Sequence, residues 1–379
     1  MAPCSQTAFR SHVGCIDLRV RARARALICA RVRAAQGLSV PLRRELIFDI
    51  DLTDYDFLDL TTRNDEGNEI VDLEACDGAW PFAAIGIFLL RYMLREQFGF
   101  ERFLIVYSGR RGAHLWILDE RAMNASDEMR TSIASFVNLE LTKNQKRATP
   151  QMLKFLCTYE LEDVVQEAFQ SLIVESDYLN SFANLEDLVD RLELQHASLQ
   201  NLADDASQQQ STREVWSYID AKVRRAAKAS GQPWFVDRLR ETIVAFVWPR
   251  IDFNVTKSVN HLIKCPYVAH PKTGRIAVPI DPNDYWRFDP RSAPSLENDL
   301  GAPEAWRARV DVLQFVANDP PRLPDLEERR RRRKPPTRAR PTTARPDAAA
   351  AASPPPQQQQ TDIEELLQPA GARCARVVR

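Results

Sequence analysis

Glu45-Leu46-Ile47-Phe48-Asp49-Ile50-Asp51-Leu52 places two carboxylates one residue apart inside an otherwise apolar run. Side chains alternate across a strand, so Asp49 and Asp51 share one face and Leu46, Phe48 and Ile50 take the other. The apolar face anchors the strand to a core and the two acids project side by side from a rigid element. Asp is depleted inside strands, so two of them there need a reason. A fixed pair of carboxylates suits a pair of divalent cations, which take oxygen ligands. A plain strand-end or turn role for one of the acids is the other reading the motif leaves open.

Working outward, a loop over about 56–75 leads into a helix predicted from Trp80 to about Phe98 and bounded by Gly99. Two apolar runs follow, at 103–107 and 114–118, separated by Ser108-Gly109-Arg110-Arg111-Gly112-Ala113. This spacing predicts a β-hairpin with a basic loop. From about 120 to 247 the pattern is mostly helical. Leu185, Leu188, Val189 and Leu192 fall on one helix face, and further helices are predicted at about 212–229 and 234–247. These leucine stripes read as core, without chemistry. Strands are expected again at 250–255 and 275–280, and a last helix at about 303–316. Strands at both ends of a helical middle make the fold class α+β.

The ends differ in composition. Arg19-Val20-Arg21-Ala22-Arg23-Ala24-Arg25 lies in a divergent basic segment, 1–40, that reads either as a basic arm or as poorly folded chain. From about 321 to 379 the chain holds a basic run at 329–334 and then Pro, Ala and Gln tracts. Such a tail lacks the apolar surface to fold alone. Nuclear import, non-specific DNA affinity and a plain solvated run are equally open for its basic stretch. Ile363-Glu364-Glu365-Leu366-Leu367 has the pattern of one helical turn on a partner.

The chain has 379 residues, enough for two or three domains, with 44% hydrophobic and 27% charged residues and a formal net charge of −1. A near-neutral whole does not advertise a polyanion partner, so any nucleic-acid contact must come from local patches. No apolar run approaches the roughly 18 residues of a membrane span, and the Arg-rich start lacks the apolar region of a secretory signal. The seven scattered cysteines, with no CxxC, read as free thiols in a reduced compartment.

Three constellations carry chemistry. Asp252, in Ile251-Asp252-Phe253, is a third carboxylate that could complete a two-metal site with Asp49 and Asp51, although taken alone it reads as a solvated strand residue. Ser108, Arg110, Arg111 and His114 crowd the hairpin loop, where Arg offers bidentate phosphate contacts and the two glycines let backbone approach a ligand. An exposed turn with two solvated arginines is the competing reading. After Asp252 come Lys257, His261, Lys264, His270, Lys272 and Arg275. Cations near a carboxylate cluster suit a nucleoside triphosphate bridged to metals, although each lysine taken singly reads as a surface charge.

In combination these blocks resemble a known family. Phe48-Asp49-Ile50-Asp51-Leu52-Thr53-Asp54-Tyr55-Asp56, Tyr107-Ser108-Gly109-Arg110-Arg111-Gly112-Ala113-His114, Pro249-Arg250-Ile251-Asp252-Phe253-Asn254-Val255-Thr256-Lys257, Asn260-His261-Leu262-Ile263-Lys264-Cys265-Pro266 and His270-Pro271-Lys272-Thr273-Gly274-Arg275-Ile276 stand in the order of the catalytic small subunit of archaeo-eukaryotic DNA primase. The eukaryotic form is the more similar, and the resemblance covers about 42–120 and 245–292. It implies a fold of mixed sheets flanked by helices, with the catalytic domain at 41–120 and 245–320 and a helical subdomain at 121–244. It implies that Asp49, Asp51 and Asp252 are the catalytic, metal-binding carboxylates for two Mg²⁺ or Mn²⁺ ions. Nucleotide binding falls to Ser108, Arg110, Arg111, His114, Lys257, Lys264 and His270, with His261 and Leu262 beside the sugar.

The implied activity is synthesis of short RNA primers on single-stranded DNA from NTPs. The implied partners are the template, the primase large subunit and a replicative DNA polymerase, in the nucleus or at a cytoplasmic replication site. A primase-polymerase using dNTPs and a non-catalytic replication-complex subunit are the alternatives; a metal-dependent nuclease fits the acids but not the cationic cluster. Two departures stand out. In Cys76-Asp77-Gly78-Ala79-Trp80 only one cysteine of the family's zinc set is kept, and a structural zinc site needs about four ligands, so no zinc is expected. The family's usual first segment is not recognisable in 1–40.

Overall fold

Leu46, Phe48 and Ile50 are fully buried on one face of β3 (Leu46–Asp51), as strand alternation requires. The structure, a computed structural model, describes residues 32–35, 38–41, 43–142 and 145–298. Upstream, β1 (Val32–Ala35) and β2 (Leu38–Pro41) form a short antiparallel hairpin. The Arg-rich run at 19–25, the helix expected at 303–316, the basic run at 329–334 and the turn at 363–367 lie outside the described residues.

β3 is the edge of a four-stranded antiparallel sheet of order β10-β6-β7-β3, with β6 (Phe103–Tyr107), β7 (Gly112–Ile117) and β10 (Pro279–Ile280). The 103–107 and 114–118 runs thus pair as the expected hairpin. The helix over 80–98 is α2 (Trp80–Phe98), which packs on the Leu46–Phe48–Ile50 face. It follows directly on α1 (Leu73–Gly78), whose first turn is capped by the Asp72 carboxylate. The expected loop at 56–75 also holds a hairpin of β4 (Thr61–Arg63) and β5 (Glu69–Val71), turned at Asn64 to Asn68. The opposite sheet face carries a smaller cluster of Ile47, Leu104, Val106, Trp116 and Leu118, covered by Val255 and Ala277.

Two short helices, α3 (Glu120–Met123) and α4 (Asp127–Val137), lead away from the sheet. Buried Arg130 on α4 donates to the carbonyls of Glu45, Ala122 and Ala125 at 3.1 Å each, fixing the start of β3. After the small hairpin β8 (Glu140–Thr142) and β9 (Gln145–Arg147) the middle is helical: α5 (Pro150–Thr158), α6 (Glu162–Phe169), α7 (Phe182–Leu192), α8 (Leu202–Ser207), α9 (Thr212–Ser230) and α10 (Trp234–Val247). Leu185, Leu188 and Leu192 of α7 are buried and Val189 partly so, which is the predicted stripe. One apolar cluster runs through these helices and the α2 side of the sheet. The described fold is α+β.

Two expected strands are corrected. Residues 250–255 make a single bridge, Ile251 to Ile50, and then turn into α11 (Phe253–Lys257). The reason is local: the Asp252 carboxylate accepts from the Asn254 N–H at 2.8 Å, a helix N-cap, and a cap competes with ladder pairing. Residues 275–280 pair as a strand only at Pro279–Ile280; Arg275 and Ile276 make isolated bridges to Ser295 and Ala269.

Candidate active site

The acids meet where β3 ends. β3 and β7 pair with Asp49 opposite His114 and Asp51 opposite Gly112. Asp252 reaches the same edge through backbone: its N–H donates to the Asp49 carbonyl at 2.9 Å. α11 is tied to the strand by buried Thr256, whose Oγ1 donates to the Ile47 carbonyl at 2.8 Å. A Cβ on Gly112 would stand 1.9 Å from the Ile50 carbonyl oxygen, so only glycine lets the two strands close here.

All three carboxylates are half-buried. Burial first, then the neighbouring Asp51 and Asp252 charges, push the Asp49 carboxyl up to about 7, with a partial offset from Lys264. Asp51 accepts from the Thr53 N–H at 3.0 Å and the Thr53 hydroxyl at 2.8 Å, and takes Arg111 Nη2 at 2.7 Å. Asp54 joins this edge: burial and then Asp51 raise its carboxyl above the usual range. Lys146, from β9, donates to the Asp54 carbonyl at 3.1 Å.

Three oxygen-donor acids that repel one another at an accessible edge fit hard divalent cations by donor chemistry. Among the described residues no three acidic, His or Cys side chains already stand as a cage, because Asp51 is held by Thr53 and Arg111 and Asp252 by Asn254. The residue set fits such ions by its chemistry.

The cations gather around His270, and Arg111 is one of them. Gly109 turns the 108–112 loop at φ 84°, with buried Ser108 donating its N–H to the Gly112 carbonyl at 3.0 Å. His270 is buried, and burial followed by Lys264, Arg110, Arg111 and Lys272 holds its pKa down at about 4. Lys264 also lies close enough to act on Asp49 and His114. Ser108, Arg110, Arg111, Lys264 and His270 therefore flank one edge with the acids.

Other predicted residues sit differently. His114 is buried behind Asp49, with Nε2 3.6 Å from its Oδ1, and burial lowers its pKa to about 3, so it is neutral at pH 7. Lys257, at the end of α11, sits with Nζ 5.7 Å from the Phe253 ring centroid. His261 is exposed and its Nδ1 donates to the Leu262 carbonyl at 2.9 Å, while Leu262 is 91% exposed. Cys76 is buried, its thiol pushed up to about 12 chiefly by burial, and Ala79 beside it is fully buried.

Sequence reasoning missed Thr53, Asp54 and Lys146. The first two stand in the same Asp-rich run as Asp51 and were legible as its continuation; Lys146 comes from a hairpin 92 positions beyond Asp54 and left no local signal. It also missed the ion pairs behind the site. Buried Arg250, two residues before Asp252, pairs with Asp56 at 3.2 Å, and Arg191 of α7 takes the other Asp56 oxygen at 3.0 Å.

The same blocks recur in known proteins. A family model described as DNA primase small subunit matches residues 48–282, which takes in every block of the site. The chain belongs to the DNA primase small subunit family. Among relatives, the DNA primase small subunit of Schizosaccharomyces pombe is 34% identical over 273 residues, 69% of this chain and 57% of the relative. Those of Drosophila melanogaster and Saccharomyces cerevisiae are 28% and 29% identical, over 77% and 67% of this chain and 68% and 61% of their own lengths. The chain thus spans about three-fifths of the length of these primase small subunits.

Proposed function

We propose that the chain is the catalytic small subunit of a DNA primase and joins ribonucleotides into short RNA primers on single-stranded DNA. The observation that carries this reading is the adjacency of Asp49, Asp51 and Asp252 at one strand end, with Arg111 bridging to a pocket of cations. Asp49, Asp51 and Asp252 would hold two Mg²⁺ or Mn²⁺ ions, which when bound lower the pKa of an attacking 3′-hydroxyl and neutralise triphosphate charge. Arg110, Arg111, Lys264 and His270 hold the β- and γ-phosphates, and Ser108 offers a further donor. Leu262 and His261, exposed on the neighbouring loop, meet the sugar. Rate enhancement comes from positioning and charge stabilisation, with no covalent intermediate.

The catalytic unit is assigned to 41–120 with 245–320, and the helical subdomain to 121–244. Partners follow the family: a template strand, NTPs, the large subunit and a replicative polymerase, in the nucleus. Among the described residues no helix is long and apolar enough to cross a membrane.

Primer synthesis on single-stranded DNA, with labelled ribonucleotides and Mg²⁺ or Mn²⁺, with and without a large subunit, tests the assignment. Asp49→Ala and Asp252→Ala should each abolish synthesis, by about a thousandfold or more, with the fold intact by circular dichroism. Retained synthesis in either variant sinks the mechanism, and faster incorporation of deoxynucleotides in competition moves the reading to a primase-polymerase. Arg111→Ala should chiefly raise the nucleotide KM.

A further inference from the structure

The two loops that carry the phosphate contacts, 108–112 and 270–275, are latched to each other. Thr273 Oγ1 donates to the Gly109 carbonyl at 2.7 Å. A Cβ on Gly109 would stand 3.0 Å from the Arg275 carbonyl and 3.1 Å from His270 Cβ, so the loops touch at that point. The Arg275 carbonyl also accepts the His270 N–H at 2.7 Å. Arg275 Nη1 donates to the Tyr107 hydroxyl at 3.2 Å, and that hydroxyl donates to the Arg110 carbonyl at 3.2 Å.

Behind this latch stands Asp77, in the last turn of α1. Its side chain is 2% exposed and accepts both arms of the Arg275 fork, Nη1 at 2.7 Å and Nη2 at 2.9 Å. A buried carboxylate is costly unless paired, and an acid in the last turn of a helix opposes the helix dipole. The forked cation offsets both. A bidentate pair also fixes the plane of the guanidinium. Nη1 is thereby left aimed at Tyr107, and the Tyr107 hydroxyl at the loop. Burial works against the Arg275 charge, but its hydrogen bonds to Asp77 and Tyr107 outweigh that and raise its pKa.

We propose that Asp77 is a positioning residue for nucleotide binding: through the Arg275 fork and the Tyr107 hydroxyl it sets the Arg110 loop and joins it to the His270 turn. Asp77 and Tyr107 belong to neither the metal nor the phosphate set above, and Arg275, which the sequence groups with the cations after Asp252, is turned to Asp77 and Tyr107 instead. The inference rests on the reading of these loops as the triphosphate site.

Steady-state primer extension by the full chain with its large subunit tests it, with nucleotide KM and kcat measured separately and thermal melting alongside. Tyr107→Phe keeps the ring and loses the link to Arg110. It should raise the nucleotide KM about 3- to 10-fold and leave kcat within about twofold. Asp77→Asn should raise KM at least as much, and Arg275→Lys should not behave as wild type, because an ammonium makes no fork. The double variant Asp77→Asn with Tyr107→Phe should be no worse in KM than Asp77→Asn alone, as expected for one chain of contacts. Should Asp77→Asn fail to fold, Tyr107→Phe and Arg275→Lys carry the test. An unchanged KM in Tyr107→Phe overturns the proposal, whether or not its melting point falls. So does a double variant whose effects simply add. Arg110→Ala separates the two levels. If it raises KM while Tyr107→Phe and Asp77→Asn do not, only the positioning role is lost. If Arg110→Ala itself leaves KM unchanged, the triphosphate reading falls and the positioning role with it.

Discussion

In the helical middle, carboxylates sit beside cations. Arg213 meets Glu175 at 2.7 Å, and Arg224 meets Asp220 and Arg238 meets Glu241 at 2.8 Å each. At the end of β3 acid faces acid: Asp49, Asp51 and Asp252 share one edge, and of the three only Asp51 has a charged partner in salt-bridge reach among the described residues, Arg111. Burial first, and the neighbouring acids after it, raise the Asp49 carboxyl to about 7. Exposed pairs like those of the helices are each worth little, about 0–1 kcal/mol, and decorate a packed core. Crowded, half-buried acids cost stability, and such unbalanced clusters mark candidate functional sites. One region spends its side chains on packing, the other on an unbalanced site.

That contrast can be broken at several points. The largest effect is expected from Gly112→Ala, which drives a methyl into the Ile50 carbonyl and separates the strand that carries the acids from the one that follows the basic loop. It should cost about 3 kcal/mol or more in chemical denaturation and abolish primer synthesis together with it. A Gly112→Ala protein of normal stability would show that β3 and β7 close differently. Next comes Leu188→Ala in α7, where a fully buried leucine leaves a cavity. It should cost about 2–5 kcal/mol, yet the folded fraction should keep its nucleotide KM. A raised KM at low temperature would mean that the helices shape the site rather than only support it.

The smallest effect separates the cationic pocket from bulk charge. His270 is held at a pKa of about 4, below the ordinary 6.5, by burial and four neighbouring cations. The unfolded chain therefore takes up its proton first, and stability is lost as pH falls from about 6.5 to about 4. His270→Asn keeps an acceptor for the Lys272 N–H, which His270 Nδ1 accepts at 3.1 Å, and removes the titration. Between pH 6.5 and 4 wild type should lose on the order of 1–2 kcal/mol more than the variant. Parallel stability curves over that window would show that the cations do not press on this ring.

Much of the site was legible along the chain because it is built from short elements whose spacing is local. Strand alternation put Asp49 and Asp51 on one face, and the Gly109-Arg110-Arg111-Gly112 turn announced a basic hairpin. The errors were also local in origin. Ile251-Asp252-Phe253 alternates like a strand, but the capping carboxylate of Asp252 turns the chain into a helix after one bridge. Burial was not legible either: His114, the third residue of β7, is buried behind Asp49.

By itself, the order of residues determined the α+β class, the strand that bears the first two acids, the helix over 80–98 and the apolar stripe of the middle helices. Those follow from periodicity and from turn and cap chemistry, which act over a few residues. Only the tertiary structure decided that Asp252 docks on Asp49, 203 positions earlier in the chain, that Asp56 is shared by Arg191 and Arg250, and that Asp77 holds Arg275 beneath the basic loop. Such pairings depend on which surfaces the folded core brings together, and an ion pair between distant segments leaves no pattern in either one.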